Sequence, residues 1–128
     1  MKTAIAPMLS VRRGKEAVEF YKQALGAEEL MVLENDGSVV ANLAVDGAAF
    51  WVADESPEHS NFSPETIGGA STRMILTVDD PDSLFAKAVD TGAKIVSPMT
   101  DHSYGWRVGR VVDPFGHHWE IGKPIARD

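Results

Sequence analysis

The chain has 128 residues, 44% of them hydrophobic and 24% charged, with a formal net charge of −7 and no cysteine. That length suits one domain with its own core, and the absence of thiols excludes disulfides, thiolate zinc sites and cysteine nucleophiles. The acidic balance argues against nucleic acid or an anionic membrane as partner, since either needs clustered Lys and Arg, while a cationic ligand is favoured by net charge alone.

The opening MKTAIAPMLSV carries one lysine and a short apolar run broken by Pro7. It is a poor secretion signal, and no later run approaches the roughly 20 apolar residues of a membrane span, so a cytoplasmic protein is expected. Thr3–Val11 reads as a strand. The basic cluster Arg12-Arg13-Lys15 follows and reads as a solvated helix start. Gly14–Leu25 has the helical period, with Ala17, Val18, Tyr21, Ala24 and Leu25 on one stripe, and it stops at Gly26-Ala27. Three strand-like runs come next, Glu29–Leu33, Val39–Val45 and Ala48–Ala53, parted by turns at Asn35-Asp36-Gly37 and Asp46-Gly47. Residues 54–70, DESPEHSNFSPETIGGA, are polar and rich in Pro and Gly. A flexible tether is expected there, with a lid carrying Phe62 as the alternative and His59 solvated.

The outline then repeats. Thr72–Val78 reads as a strand, and Asp80-Pro81 as a cap with proline at the first helical turn. Pro81–Thr91 carries the stripe Leu84, Phe85, Ala88, Val89 and stops at Gly92-Ala93. The strand-like runs Lys94–Pro98, Trp106–Val112 and His117–Gly122 complete the second half. The fold class is therefore α+β, two βαβββ modules at about 1–53 and 71–124 in a single domain. One helix covers only one face of each sheet, so two such sheets facing each other would enclose a cleft.

The stretch Tyr104–Lys123, YGWRVGRVVDPFGHHWEIGK, reads as a hairpin around Asp113-Pro114-Phe115-Gly116. Pro114 presets φ and Gly116 accepts the positive φ that such a turn needs. Beyond it, His118 and Glu120 alternate with Trp119 and Ile121, so one face receives a histidine and a carboxylate and the other two apolar groups. Trp119 is expected in the core, and His117 to be structural or exposed.

A doubled βαβββ unit ending in Gly109-Arg110-Val111-Val112-Asp113-Pro114-Phe115-Gly116-His117-His118-Trp119-Glu120, with AVEFYKQALGAEE in the first helix, resembles the vicinal oxygen chelate superfamily. That superfamily includes glyoxalase I, bleomycin- and fosfomycin-resistance proteins, extradiol dioxygenases and epimerases; the likeness is strongest to its PhnB-like branch. The resemblance implies a homodimer, possible exchange of modules between chains, and a site of four ligands to one divalent ion. Carried over by register, those ligand positions fall on Ala6, a residue near Trp51, Arg73 and Glu120. Only Glu120 is a ligand type, and an arginine offers no lone pair. No cofactor is therefore expected.

The expected site is a metal-free cleft binding a small organic molecule, as in the bleomycin-binding members, built from Trp51, Arg73, Trp106, Arg110, His118 and Glu120. Arg73 and Glu120 either form an ion pair that replaces the metal or bind and orient an oxygen of the ligand. Trp51 offers an apolar platform or fills vacated space. Trp106 closes the mouth or lies at a dimer contact. Arg110 faces either the cleft or solvent. Two catalytic alternatives stand beside this reading. One is a glyoxalase-type lyase, isomerase or dioxygenase with a displaced divalent metal on His118 and Glu120, with His102 as third ligand. The other is a metal-free enzyme with Glu120 as general base. Ser10 and Thr77 have no histidine at a spacing that implies a nucleophilic dyad, and Met8 and Met31 read as core filler.

Overall fold

Two Asp-Gly turns set the register of the first sheet. Asp36 and Asp46 sit at φ 50° and 48°, and Gly37 and Gly47 both at 84°, as two-residue hairpin loops require. They join β2 (Glu28–Asn35), β3 (Ser38–Val45) and β4 (Ala48–Asp54) in antiparallel order, and β1 (Met8–Val11) pairs parallel with β4. The sheet order is β1-β4-β3-β2. The computed structural model describes residues 1–126.

The second sheet repeats this topology. After α2 (Pro64–Ile67) come β5 (Arg73–Thr77), α3 (Pro81–Thr91), β6 (Lys94–His102), β7 (Trp106–Val112) and β8 (His118–Pro124), in sheet order β5-β8-β7-β6. The chain divides into two compact units, Met1–Gly68 and a second beginning at Gly69. Each contains one βαβββ motif. Among the described residues, no helix is long and apolar enough to cross a membrane.

In the first unit α1 (Gly14–Leu25) covers one face of the sheet. Ala17, Val18, Tyr21, Ala24 and Leu25 are buried there with Leu9, Val11, Ala41, Leu43, Phe50 and Val52. The Tyr21 and Phe50 rings meet edge to face at 5.5 Å. The start of α1 has no side-chain cap of its own. Asp54 substitutes for it from β4: its Oδ1 accepts from Gly14 N–H at 2.9 Å and its Oδ2 from Val39 N–H at 2.6 Å. A Cβ at Gly14 would run into that carboxylate.

In the second unit α3 packs on β6, β7 and β8, burying Phe85 and Ala88 against Val111, Trp119 and Ile121. Asp80 caps it as its sequence suggests, accepting from Ser83 N–H at 3.2 Å, with Pro81 in the first turn.

Four expectations need correcting. The first strand starts at Met8, not Thr3, so Ala6 lies outside it. The expected strand Lys94–Pro98 runs on to His102, because Pro98 sits on an edge strand whose register shifts between Ile95, Ser97 and Thr100, where a missing N–H costs no ladder bond. Met8 and Met31 are 52% and 40% exposed and are not core filler. Residues 54–70 are not an unstructured tether. Asp54 belongs to β4, a 3₁₀ turn spans Pro57–His59, and Ser63 is fully buried as the cap of α2. Glu55 holds this segment through Ser63 N–H (2.9 Å) and the Thr66 hydroxyl (2.9 Å), and Arg12 Nε donates to Thr66 Oγ1 at 3.2 Å. Phe62 is 46% exposed.

Candidate functional site

Asp113 organises the hairpin that carries the site. It is 4% exposed, and its Oδ1 accepts from the backbone N–H groups of Phe115 (2.9 Å) and His117 (3.0 Å). Its Oδ2 accepts from Trp119 Nε1–H at 2.9 Å. Gly116 takes φ 91° and donates to the Asp113 carbonyl at 3.1 Å. The turn is therefore pinned to the core through Trp119, which is 3% exposed, and this fixes the parity of β8. His117 is buried on the core side, and His118 and Glu120 stand on the face without a helix.

Register decides what they meet there. Glu120 lies opposite Arg110 on β7 and Ile75 on β5, and His118 lies opposite Val112 and Arg73. Arg110 Nη2 donates to Glu120 Oε1 at 2.9 Å, and Arg73 Nη1 reaches the same oxygen at 3.5 Å. Arg110 and Glu120 are mostly sheltered, with side chains 28% and 21% exposed, whereas Arg73 is 57% exposed. His118 Nδ1 is buried and has no hydrogen-bond partner among the described residues.

Beside this trio lies a hollow of about 250 Å³, lined by Ile75, Leu76, Thr77, Tyr104, Trp106, Val108, Glu120 and Gly122. Its walls are mainly apolar, and Glu120 is its one charged lining residue. Tyr104 stacks on His102, with ring centroids 4.9 Å apart and planes 13° apart.

Of the residues singled out in the sequence, Arg73, Arg110 and Glu120 are in direct contact, His118 shares their face, and Trp106 shares the hollow with Glu120. Trp51 lies in the first unit, on the helix-free face of β4, opposite Met8 and Asn42. His102 is in register with Trp106 and, through it, with Pro124, at the far end of β8 from His118. Six residues of strand separate those ends, about 20 Å, so His102 cannot complete a site with His118 and Glu120. Ile75, Val108 and Gly122 were not foreseen as lining residues. Their strand parity with Arg73, Arg110 and Glu120 is the signal that identifies them. Nothing in the local sequence marks Asn42, whose buried Oδ1 lacks a partner among the described residues.

The two sheets are related residue by residue. Trp51 pairs with Met8 and Asn42 as Glu120 pairs with Ile75 and Arg110, so two residues further back Ala6 corresponds to Arg73. A divalent ion needs lone pairs at these positions. Ala6 and Trp51 supply none, and Arg73 puts a guanidinium on the remaining carboxylate. Of these four positions only Glu120 carries a ligand-type oxygen, and that oxygen is already paired with Arg73.

Residues 5–121 match the model of the Glyoxalase/Bleomycin resistance protein/Dioxygenase superfamily. An uncharacterized protein of Mycobacterium tuberculosis is 35% identical over 98% of this chain and 76% of its own length. The solved structure of an Arabidopsis thaliana gene product is 31% identical, covers 96% of this chain and 100% of its own, and superposes with a TM-score of 0.76. TioX from Micromonospora sp. ML1 is 25% identical with the same coverage and a TM-score of 0.74. The fosfomycin resistance protein FosX of Listeria monocytogenes, 12% identical, shares the fold with a TM-score of 0.74 over 97% of this chain and 94% of its own. With the doubled βαβββ topology and the matched length together, this chain belongs to the glyoxalase/bleomycin resistance protein/dioxygenase superfamily, of the vicinal oxygen chelate fold.

Proposed function

We propose that the helix-free face of the second sheet binds a small organic molecule without a metal ion. One observation carries this reading: Arg73 and Arg110 both rest on Glu120 Oε1, beside an apolar hollow of about 250 Å³. A guanidinium neutralises the carboxylate where a cation would otherwise sit, and it leaves a polar anchor at the edge of an apolar wall. A few convergent polar groups on a mainly apolar concavity are the usual make-up of a ligand site.

Calorimetric titration of the full chain with a panel of small aromatic compounds tests the reading, together with elemental analysis of protein purified without chelator. Saturable binding by protein carrying well below one equivalent of any divalent metal is expected. Stoichiometric metal that is lost in Glu120→Gln would overturn the metal-free reading. Absence of any binding by folded protein would overturn the binding role.

The same reading takes the protein as a cytoplasmic homodimer. The edge strand β2 leaves Leu30, Met31, Val32 and Leu33 exposed at 56%, 40%, 36% and 58%, an apolar run that edge strands ordinarily avoid unless a partner covers it. Sedimentation equilibrium should give twice the chain mass, and a monomer at all concentrations would refute it.

A further inference from the structure

We infer that the ligand of this face is an amphipathic organic anion, an apolar body bearing one carboxylate or comparable oxyanion. The inference rests on the reading of this face as a small-molecule site and names the ligand's chemical class.

The first argument is a charge count. Two guanidiniums meet one carboxylate oxygen, Arg110 at 2.9 Å and Arg73 at 3.5 Å, so the trio carries a surplus positive charge. The other residues lining the hollow are uncharged. The chain as a whole is at −7 and would attract a cation, but charges beyond about 8–10 Å are screened at physiological salt, so the local count decides. A cation arriving at Glu120 would be the third on one carboxylate. An anion turns the trio into two balanced pairs.

The second argument concerns free donors. A guanidinium has five N–H groups in a fixed fork. Arg73 is 57% exposed and spends one of them on a long contact to Glu120. Among the described residues the rest of its fork has no partner, and it can take a carboxylate in the bidentate geometry that suits it. On the same face, His118 keeps a buried Nδ1 without a partner among the described residues, which adds a polar group next to Arg73 in the register.

The third argument is placement. Glu120 belongs both to the hollow and to the trio, so an apolar body seated against Ile75, Val108 and Trp106 delivers its head group to the arginines. A dry cavity of roughly 150 Å³ takes benzene. The 250 Å³ here has room for a ring and a short chain.

The test uses probes that share a body and differ in the head: 4-phenylbutyrate, 4-phenylbutanol and 4-phenylbutylamine, with acetate as the head alone. Each is titrated into the full chain by calorimetry at low and high salt. The carboxylate is expected to bind about tenfold or more tightly than the alcohol or the amine. Its advantage should shrink with salt, and acetate should not bind measurably. In Arg73→Gln the ratio of carboxylate to alcohol affinity, both measured on that variant, should fall most of the way to one. If the alcohol or amine binds as tightly as the carboxylate, or the advantage survives in Arg73→Gln, the inference is overturned and the small-molecule reading stands. If none of the three binds to protein whose circular dichroism is native, both fall together.

Discussion

Replacing Asp113 by alanine withdraws the acceptor for three donors at once. Phe115 N–H, His117 N–H and Trp119 Nε1–H all end on this carboxylate at 2.9–3.0 Å, in a place that is 4% exposed. A hydrogen bond to a charged group contributes about 1.5–3 kcal/mol, and a buried donor left unpaired costs about 1–3 kcal/mol. The three share two oxygens, so their losses do not add. The expected destabilisation is about 3–5 kcal/mol, the range seen when one partner of a buried charged cluster is removed. With a urea slope of roughly 2 kcal/mol per M, the midpoint falls by about 2 M. Asp113→Asn keeps an oxygen for the two backbone donors but turns an amide N–H₂ towards the indole N–H. Its cost should be about 1–3 kcal/mol, between wild type and Asp113→Ala. Urea unfolding followed by tryptophan fluorescence checks the order, since Trp106 and Trp119 lie in the unit that carries the substitution. A loss below about 1 kcal/mol for Asp113→Ala, the size of an ordinary surface change, would refute the claim that this carboxylate organises the hairpin.

At Gly109 a Cβ would stand 2.6 Å from Phe85 Cε2 and 2.7 Å from Met99 Sδ, so Gly109→Ala should cost about 1–3 kcal/mol and lower Tm. Gly122→Ala should cost more, because its Cβ would press on the Arg107 carbonyl, which is backbone and cannot rotate away; equal Tm values for the two variants would contradict this. Glu55 is held below the ordinary carboxylate range chiefly by the N–H of Ser63, and then by the Thr66 hydroxyl. A lowered folded-state pKa means that its contribution is fully present above about pH 4.5 and is lost as pH falls through the folded value. Hydrogen exchange of the Ser63 amide, corrected for intrinsic rate, should show less protection at pH 3 than at pH 7. Glu55→Gln should remove that difference, and its persistence in the variant would assign it to another group. The same sign applies to Asp82, whose carboxyl Arg107 holds low through contacts of 2.8 and 2.6 Å. Arg107→Ala should make thermal stability less sensitive to acid between about pH 5 and 3.

How much of this was legible follows from how local each signal is. The stripe Ala17, Val18, Tyr21, Ala24, Leu25 lies within one helix, and the whole stripe is buried. The Asp-Gly turns act over two residues, and both open hairpins. The alternation of His118 and Glu120 with Trp119 and Ile121 follows from the pleat alone and holds in β8. The segment 54–70 hides its order behind a polar composition, because that order rests on contacts spanning it: Glu55 accepts from Ser63 N–H and the Thr66 hydroxyl, 8 and 11 residues further on. Arg12 reaches it from the end of β1, and its polar composition carries no trace of that partner. Asp54 is a similar case: its meaning lies in Gly14 and Val39, 40 and 15 residues away.

The sequence by itself determined the repeated βαβββ plan, the superfamily and the strand face on which Glu120 stands, because turn chemistry and hydrophobic period act over a few residues. Tertiary structure alone decided what Glu120 touches. Arg110 reaches it across a hairpin and Arg73 from 47 residues away along a parallel pairing. Such contacts depend on register between strands, and no local pattern encodes where a guanidinium will end.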